Sequence, residues 1–179
     1  RVGMLLLTDR VELFVPPDSG RRHVLRLIME LLAFRPTGRE TRLSVGLEYA
    51  LRILHHRAVV FLVSDFLTDS SVDPEFGHAA RRLSRDHDLV PIRLTDAGGE
   101  TLPDVGLLAL VDPETGQRYV VDTSSSGTRD TYTEQKEAQR TLLTSFFREL
   151  RLDIIEVRTE DDYVPALISF FRRRERRPR

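Results

Sequence analysis

Two residues stand where chemistry is easiest to place. Thr41 opens the segment Thr41-Arg42-Leu43-Ser44-Val45-Gly46-Leu47, which leads into a helical pattern. Asp65 follows the run Val59-Val60-Phe61-Leu62-Val63-Ser64. An apolar, mostly β-branched run that ends in a lone carboxylate predicts a strand buried on both faces of a parallel sheet. In an open α/β sheet, ligands bind beyond the carboxyl ends of the strands, and Asp65 falls there. A hydroxyl and a carboxylate at neighbouring strand ends are hard oxygen donors of the kind Mg2+ takes. A plainer role is also open to Asp65: capping the next helix or accepting from a backbone amide.

Other chemistries find less support. There is no cysteine, which excludes disulfides, thiolate metal sites and a cysteine nucleophile. The five histidines show no ligand spacing. Zinc needs three or four convergent ligands. His55 and His56 close a helical pattern, where histidine suits the helix dipole. No G-x-S-x-G, Walker loop or G-x-G-x-x-G is present. The end of the chain, Arg172-Arg173-Arg174-Glu175-Arg176-Arg177-Pro178-Arg179, is a basic block. Such blocks usually stay solvated, although anionic lipid or nucleic acid is a second use for them.

The elements that must position these residues follow from hydrophobic period. Residues 2–7 form an apolar strand, and 11–15 alternate as its antiparallel partner, ended by Pro16-Pro17. Val24, Leu27, Ile28 and Leu31 mark the inward face of a first helix. Leu43, Leu47, Ala50, Leu51 and Leu54 mark a second, and Phe76, Ala79, Ala80 and Leu83 a third. Residues 89–94 read as a strand made irregular, or placed at an edge, by Pro91. Residues 107–111 and 118–121 flank a glycine-containing turn and predict a hairpin. A long helix over 128–150 follows, with Leu142, Leu143, Phe146, Phe147 and Leu150 on one stripe. A strand over 153–157 and a helix over 163–173 close the chain, the latter with Val164, Leu167, Ile168 and Phe171 inward. Strands alternating with helices predict an α/β sheet with helices on both faces.

Composition sets the frame. A chain of 179 residues, 40 % hydrophobic and 31 % charged, is that of one globular domain. Its net charge of −1 argues against whole-surface nucleic-acid binding. No apolar run is long enough to span a membrane. Lys136 is the single lysine beside 26 arginines, the bias of a GC-rich genome. The chain enters a strand at its second residue, as expected of a fragment of something longer.

Several segments, taken in order, resemble one family. They are residues 1–17 (RVGMLLLTDRVELFVPP), the helix entry at Thr41, residues 59–66 (VVFLVSDF) and Leu102-Pro103-Asp104-Val105-Gly106. Asp112-Pro113-Glu114-Thr115-Gly116 and residues 159–167 (TEDDYVPAL) complete the set. Together they resemble the C-terminal part of a bacterial protein of the domain of unknown function 58 family. The resemblance implies an α/β fold of the von Willebrand factor A-like (Rossmann-like) kind: a mostly parallel sheet, an antiparallel edge hairpin, and helices on both faces. That domain would span residues 1–171, incomplete at its N-terminus, with 172–179 a disordered basic tail. The resemblance also implies a metal-ion-dependent adhesion site holding Mg2+, in which Thr41 and Asp65 match the second and third parts. The first part, D-x-S-x-S after the central strand, would precede Arg1. Strands 2–7 and 59–63 would then flank a vacancy.

Asp122-Thr123-Ser124-Ser125-Ser126 spells D-x-S-x-S literally. Asp122, Ser124 and Ser126 are therefore a second, weaker set of metal ligands. Their strand reads as a hairpin arm, and a turn with a helix entry is the simpler role. The family resemblance implies a non-enzymatic protein-interaction module, cytoplasmic for this domain, whose partner is a MoxR-type AAA+ ATPase in protein assembly. A metal-dependent α/β hydrolase, or nucleic-acid binding through the arginine tail, are the alternatives. Membrane anchoring of the parent protein is left open.

Overall fold

The structure, a computed structural model, describes residues 1–38, 40–66, 73–111 and 117–175. The chain divides into two compact units, Arg1–Ala58 with Thr68–Asp88, and Val59–Leu67 with Leu89–Arg179.

The first unit begins with the expected hairpin. β1 (Val2–Leu7) pairs antiparallel with β2 (Val11–Asp18) in the register Leu5↔Phe14 and Leu6↔Leu13. β2 runs on through Pro16 and Pro17 rather than ending at them. α1 (Arg21–Ala33), α2 (Leu43–Ile53) and α3 (Phe76–Asp86) follow. α2 lies against β1 so closely that a Cβ on Gly46 would fall 2.4 Å from Leu7 Cδ2. Leu43, Leu47 and Ala50 on α2 are buried, as are Ala79, Ala80 and Leu83 on α3, and Arg82 pairs with Glu48. Phe14 meets Tyr49 edge to face at 5.6 Å. α1 departs from expectation. Of its predicted inward set only Leu27 is buried, while Val24, Ile28 and Leu31 are exposed.

The second unit carries a three-stranded parallel sheet in the order β3-β4-β7, formed by β3 (Val59–Ser64), β4 (Asp88–Thr95) and β7 (Ile155–Arg158). β4 and β7 are paired in the register Ile92↔Ile155 to Thr95↔Arg158. β4 is the central strand, not an edge, and Pro91 within it is buried. The β7 ladder starts at Ile92, so the missing proline donor falls outside it. Among the described residues, β3 lies at one edge of this sheet and β7 at the other. β3 is not buried on both faces: Leu62 is buried, but Val59, Phe61 and Val63 are exposed.

A four-residue helix, α4 (Ala97–Glu100), is capped by Asp96, whose side chain accepts from Gly99 N. β5 (Leu107–Val111) and β6 (Arg118–Asp122) form the predicted hairpin; its turn, 112–116, lies outside the described residues. α5 (Ser126–Glu149) starts with Ser125 as N-cap and buries Phe147 against Phe66 and Phe146, at 5.2 Å each. Leu142, predicted on the same stripe, is exposed. α6 (Tyr163–Glu175) covers one sheet face by packing Phe170 on Val90 and Ile155, with Ala166 and Leu167 beside it. Its inward face is therefore turned from the predicted one, and Val164, Ile168 and Phe171 are exposed. The arginines of the tail beyond Glu175 lie outside the described residues. Among the described residues, no helix is long and apolar enough to cross a membrane.

Candidate functional site

Thr41 lies in the first unit, half-buried, two residues before α2. Its loop is held by a clasp that the sequence reading did not find. The Glu12 carboxylate accepts from Thr37 N (3.2 Å), Thr37 Oγ1 (2.7 Å), Gly38 N (2.8 Å) and Thr8 Oγ1 (2.9 Å). One residue beyond Thr41, Arg42 N–H donates to the Thr8 carbonyl at 3.0 Å. The loop is thus tied at both ends to the β1–β2 turn. A carboxylate that accepts several donors is stabilised in its charged form. The Thr37 hydroxyl, followed by the Gly38 amide, pulls Glu12 from its ordinary 4.5 to about 2. The signal in the sequence is faint: one glutamate in an alternating strand and a Thr-Gly pair in a distant loop.

The helix after Thr41 has no side-chain cap of its own; its N-cap residue is Arg42. Asp73, buried and remote in sequence, fills the role by accepting from Ser44 N at 2.8 Å. A carboxylate there satisfies an otherwise orphaned amide and complements the helix dipole.

Asp65 lies in the second unit, exposed, just past the carboxyl end of β3. Ser64 Oγ is 3.4 Å from Asp65 Oδ1 and accepts from Phe66 N at 3.0 Å. Phe66 has φ 54, a left-handed conformation that turns the chain sharply. Asp65 is therefore presented at a tight turn. Thr41 and Asp65 belong to different units, and each site is built by its own unit.

The literal D-x-S-x-S segment is a turn and a helix entry. Asp122 Oδ1 accepts from Ser124 N at 3.0 Å and from Ser124 Oγ at 2.6 Å, which lowers the Asp122 pKa. Ser126 is the first residue of α5, and Ser125 Oγ accepts from Thr128 N. Thr123, fully buried, donates to the Gly106 carbonyl and accepts from Val105 N. Arg129 spans the Thr123 carbonyl and the Asp104 carboxylate. The segment is locked by local bonds after a hairpin arm, not after a central parallel strand.

A cleft of about 320 Å3 opens at the carboxyl ends of β4 and β7, beside Thr95, Arg140, Glu156, Arg158, Asp161 and Tyr163. Its two arginines face three carboxylates, Glu156, Asp161 and Asp162. Arg140 forks onto Glu156, and Arg158 pairs with Glu160 and Asp161. Arg93, buried in the sheet, approaches Glu156 at 3.8 Å and leaves its Nε without a hydrogen-bond partner.

Taken singly, Thr41 offers a hydroxyl and Asp65 a carboxylate, each an oxygen donor of the hardness Mg2+ prefers. Among the described residues, no group of three or more His, Asp or Glu is arranged to hold a metal ion. Any further oxygen donors would have to be water or residues other than these.

The architecture defines a mixed α/β protein with a parallel sheet, antiparallel hairpins and an acidic turn at a strand's carboxyl end. Residues 1–142 match the model of the family described as "Protein of unknown function DUF58", and the chain belongs to that family. It is 26 % identical over 166 residues to the uncharacterized protein MAV169 of Mycobacterium avium, covering 90 % of this chain and 94 % of that protein. It is 24 % identical over 180 residues to the uncharacterized protein Rv1480 of Mycobacterium tuberculosis, covering 98 % of this chain. The chain spans 55 % of the length of that relative, and the same share of its Mycobacterium bovis counterpart. Among solved structures it is similar to the conserved hypothetical protein BatB from Bacteroides thetaiotaomicron. The TM-score is 0.49 and the identity 13 %, with 97 % of this chain and 77 % of that one covered.

Proposed function

We propose that this chain is a cytoplasmic, non-enzymatic protein-interaction module of the von Willebrand factor A-like kind. In the whole protein, Thr41 and Asp65 are two of the oxygen donors of a metal-ion-dependent adhesion site. Bound Mg2+ would offer an open coordination position to a partner's carboxylate. The partner to test first is a MoxR-type AAA+ ATPase, with assembly or maturation of other proteins as the shared task.

The observation that carries this reading is the placement of Asp65. It is an exposed carboxylate on a tight turn beyond the carboxyl end of a parallel strand, where open α/β sheets take their ligands. One further feature supports it. Thr41 lies in a loop whose neighbours Thr37, Gly38 and Arg42 are clasped to Glu12 and Thr8.

The test is capture of the ATPase by the whole protein with Mg2+ or with EDTA, for the wild type and for Asp65→Ala and Thr41→Ala. Binding that needs Mg2+ and falls at least about tenfold in both variants supports the reading. Equal binding in EDTA ends it.

A further inference from the structure

The cleft at the carboxyl ends of β4 and β7, about 320 Å3 in volume, is built by the second unit alone. In the parallel register Arg93 stands opposite Glu156 and Thr95 opposite Arg158, so these four side chains share one sheet face. Thr95, Glu156 and Arg158 line the cleft, and Arg93 lies beneath them, 7 % exposed. Glu156 faces two guanidinium groups and satisfies one. Arg140 forks onto it, with Nε at 3.1 Å, whereas Arg93 Nη1 stays at 3.8 Å, beyond hydrogen-bond reach. Arg93 Nε is buried with no partner. A buried cationic donor left in this state is costly, and buried polar groups normally find an acceptor. The same small space is lined by Asp161, whose side chain is 68 % exposed, and by Asp162. The cleft thus offers a cationic and an anionic side within one ligand-sized volume.

We propose that this cleft binds a free α-amino acid, and that Glu156 changes partners when it does. The ligand's carboxylate takes the fork of Arg140, whose side chain is 55 % exposed. Glu156 is released and closes on Arg93, which gives the buried Nε the acceptor it lacks. The ion pair broken at Arg140 is offset by the one made at Arg93, so an anion can enter a site that already holds a carboxylate. A plain anion does not fit, because Asp161 and Asp162 repel it. The ligand's cationic group lies against these two carboxylates. The volume is at the small end of the range for ligand pockets, so the two charges must sit close together. An ammonium group and a carboxylate on one carbon meet that demand; the end of a peptide chain carries only one of them. The position agrees as well, since open α/β sheets take ligands beyond the carboxyl ends of their strands. Arg140 and Asp161 touch the ligand, and Glu156 and Arg93 are positioning residues.

This goes beyond the proposed metal site, and its test is run in EDTA so that the two readings fail separately. Each proteinogenic L-amino acid is titrated into the whole protein by calorimetry. At least one should bind with a Kd below about 1 mM. Its N-acetyl derivative keeps only the carboxylate, as a chain's C-terminus does, and its amide keeps only the ammonium group. Each should bind at least about tenfold more weakly. Arg93→Met removes the waiting partner without touching the ligand. Glu156 then stays on Arg140, and affinity should fall at least about tenfold in a protein that still melts cooperatively. Adding Glu156→Gln frees Arg140 again, so the double variant should return to within about threefold of wild type. A merely structural role for Arg93 would not be reversed by that second substitution. The derivative series needs only the wild type, so it decides the ligand class whether or not the single variant folds. No binding by any amino acid, or derivatives that bind as tightly as their parent, overturns the proposal. So does wild-type affinity in folded Arg93→Met, or a double variant as weak as the single one.

Discussion

Substituting Gly38 by alanine tests whether the clasp at Glu12 holds the Thr41 loop. A Cβ at position 38 would lie 2.2 Å from Asp9 Oδ1, 2.3 Å from Thr8 Oγ1 and 2.7 Å from Thr8 Cβ. The two oxygens could swing aside, but Thr8 Cβ is fixed to its backbone. The loop must therefore retreat by several tenths of an ångström. That lengthens the 2.8 Å bond from Gly38 N to Glu12 and pulls on the Arg42–Thr8 bond beyond it. Forcing an extra carbon into a filled site costs about 1–3 kcal/mol. With a urea slope of about 2 kcal/mol/M, the unfolding midpoint should drop by roughly 0.5–1.5 M. Circular dichroism in urea reads this directly. Gly98→Ala is the control: a Cβ there meets nothing nearer than Asp96 Oδ1 at 3.9 Å. A midpoint for Gly38→Ala equal to wild type would refute the close approach and the clasp with it.

Three further outcomes follow from the same geometry. Glu12 has its pKa depressed in the folded protein, so its stabilising effect is present above about 4.5 and is lost as pH falls from there to about 2. The stability gap between wild type and Glu12→Gln, from urea titrations at stepped pH, should shrink across that window; a gap that is flat with pH contradicts the clasp. Asp73→Ala should cost about 1 kcal/mol by uncapping α2, and Asp73→Asn less, because the amide oxygen still accepts from Ser44 N. Equal thermal midpoints for all three proteins would count against that role. Arg93→Met should change stability by less than about 1 kcal/mol, since it removes a buried cation whose Nε has no partner. Glu156→Ala should cost about 2 kcal/mol, because it leaves Arg93 buried without its carboxylate. The reverse order in chemical denaturation would overturn this account of the pair.

The sequence by itself determined the order of the elements and the presence of all but α4. The hairpin at residues 2–18, the helices at 21–33, 43–53 and 76–86, and the hairpin at 107–122 lie within a few residues of the periodicity reading. Those features depend on local spacing: a period of two or 3.6, proline and glycine at turns, and serine at a helix start. Membership of the family was legible too, because it rests on motifs in a fixed order.

Tertiary structure alone decided how those elements are covered. The run at 59–64 has the composition of a strand buried on both faces, yet β3 is an edge strand with one face exposed. α6 has apolar residues around so much of its circumference that periodicity could not choose the buried stripe. Phe170 took the core and Phe171 was left outside. Pro91 sits in a central strand, and the ladder to β7 begins one residue after it, a matter of register that no local rule reports. The Glu12 clasp and the Asp73 cap join residues 25–29 positions apart. Local pattern fixes what a residue offers, whether apolar area, a donor or a charge. Which partner answers it is settled only when distant segments meet, because burial and hydrogen bonding are properties of the pair.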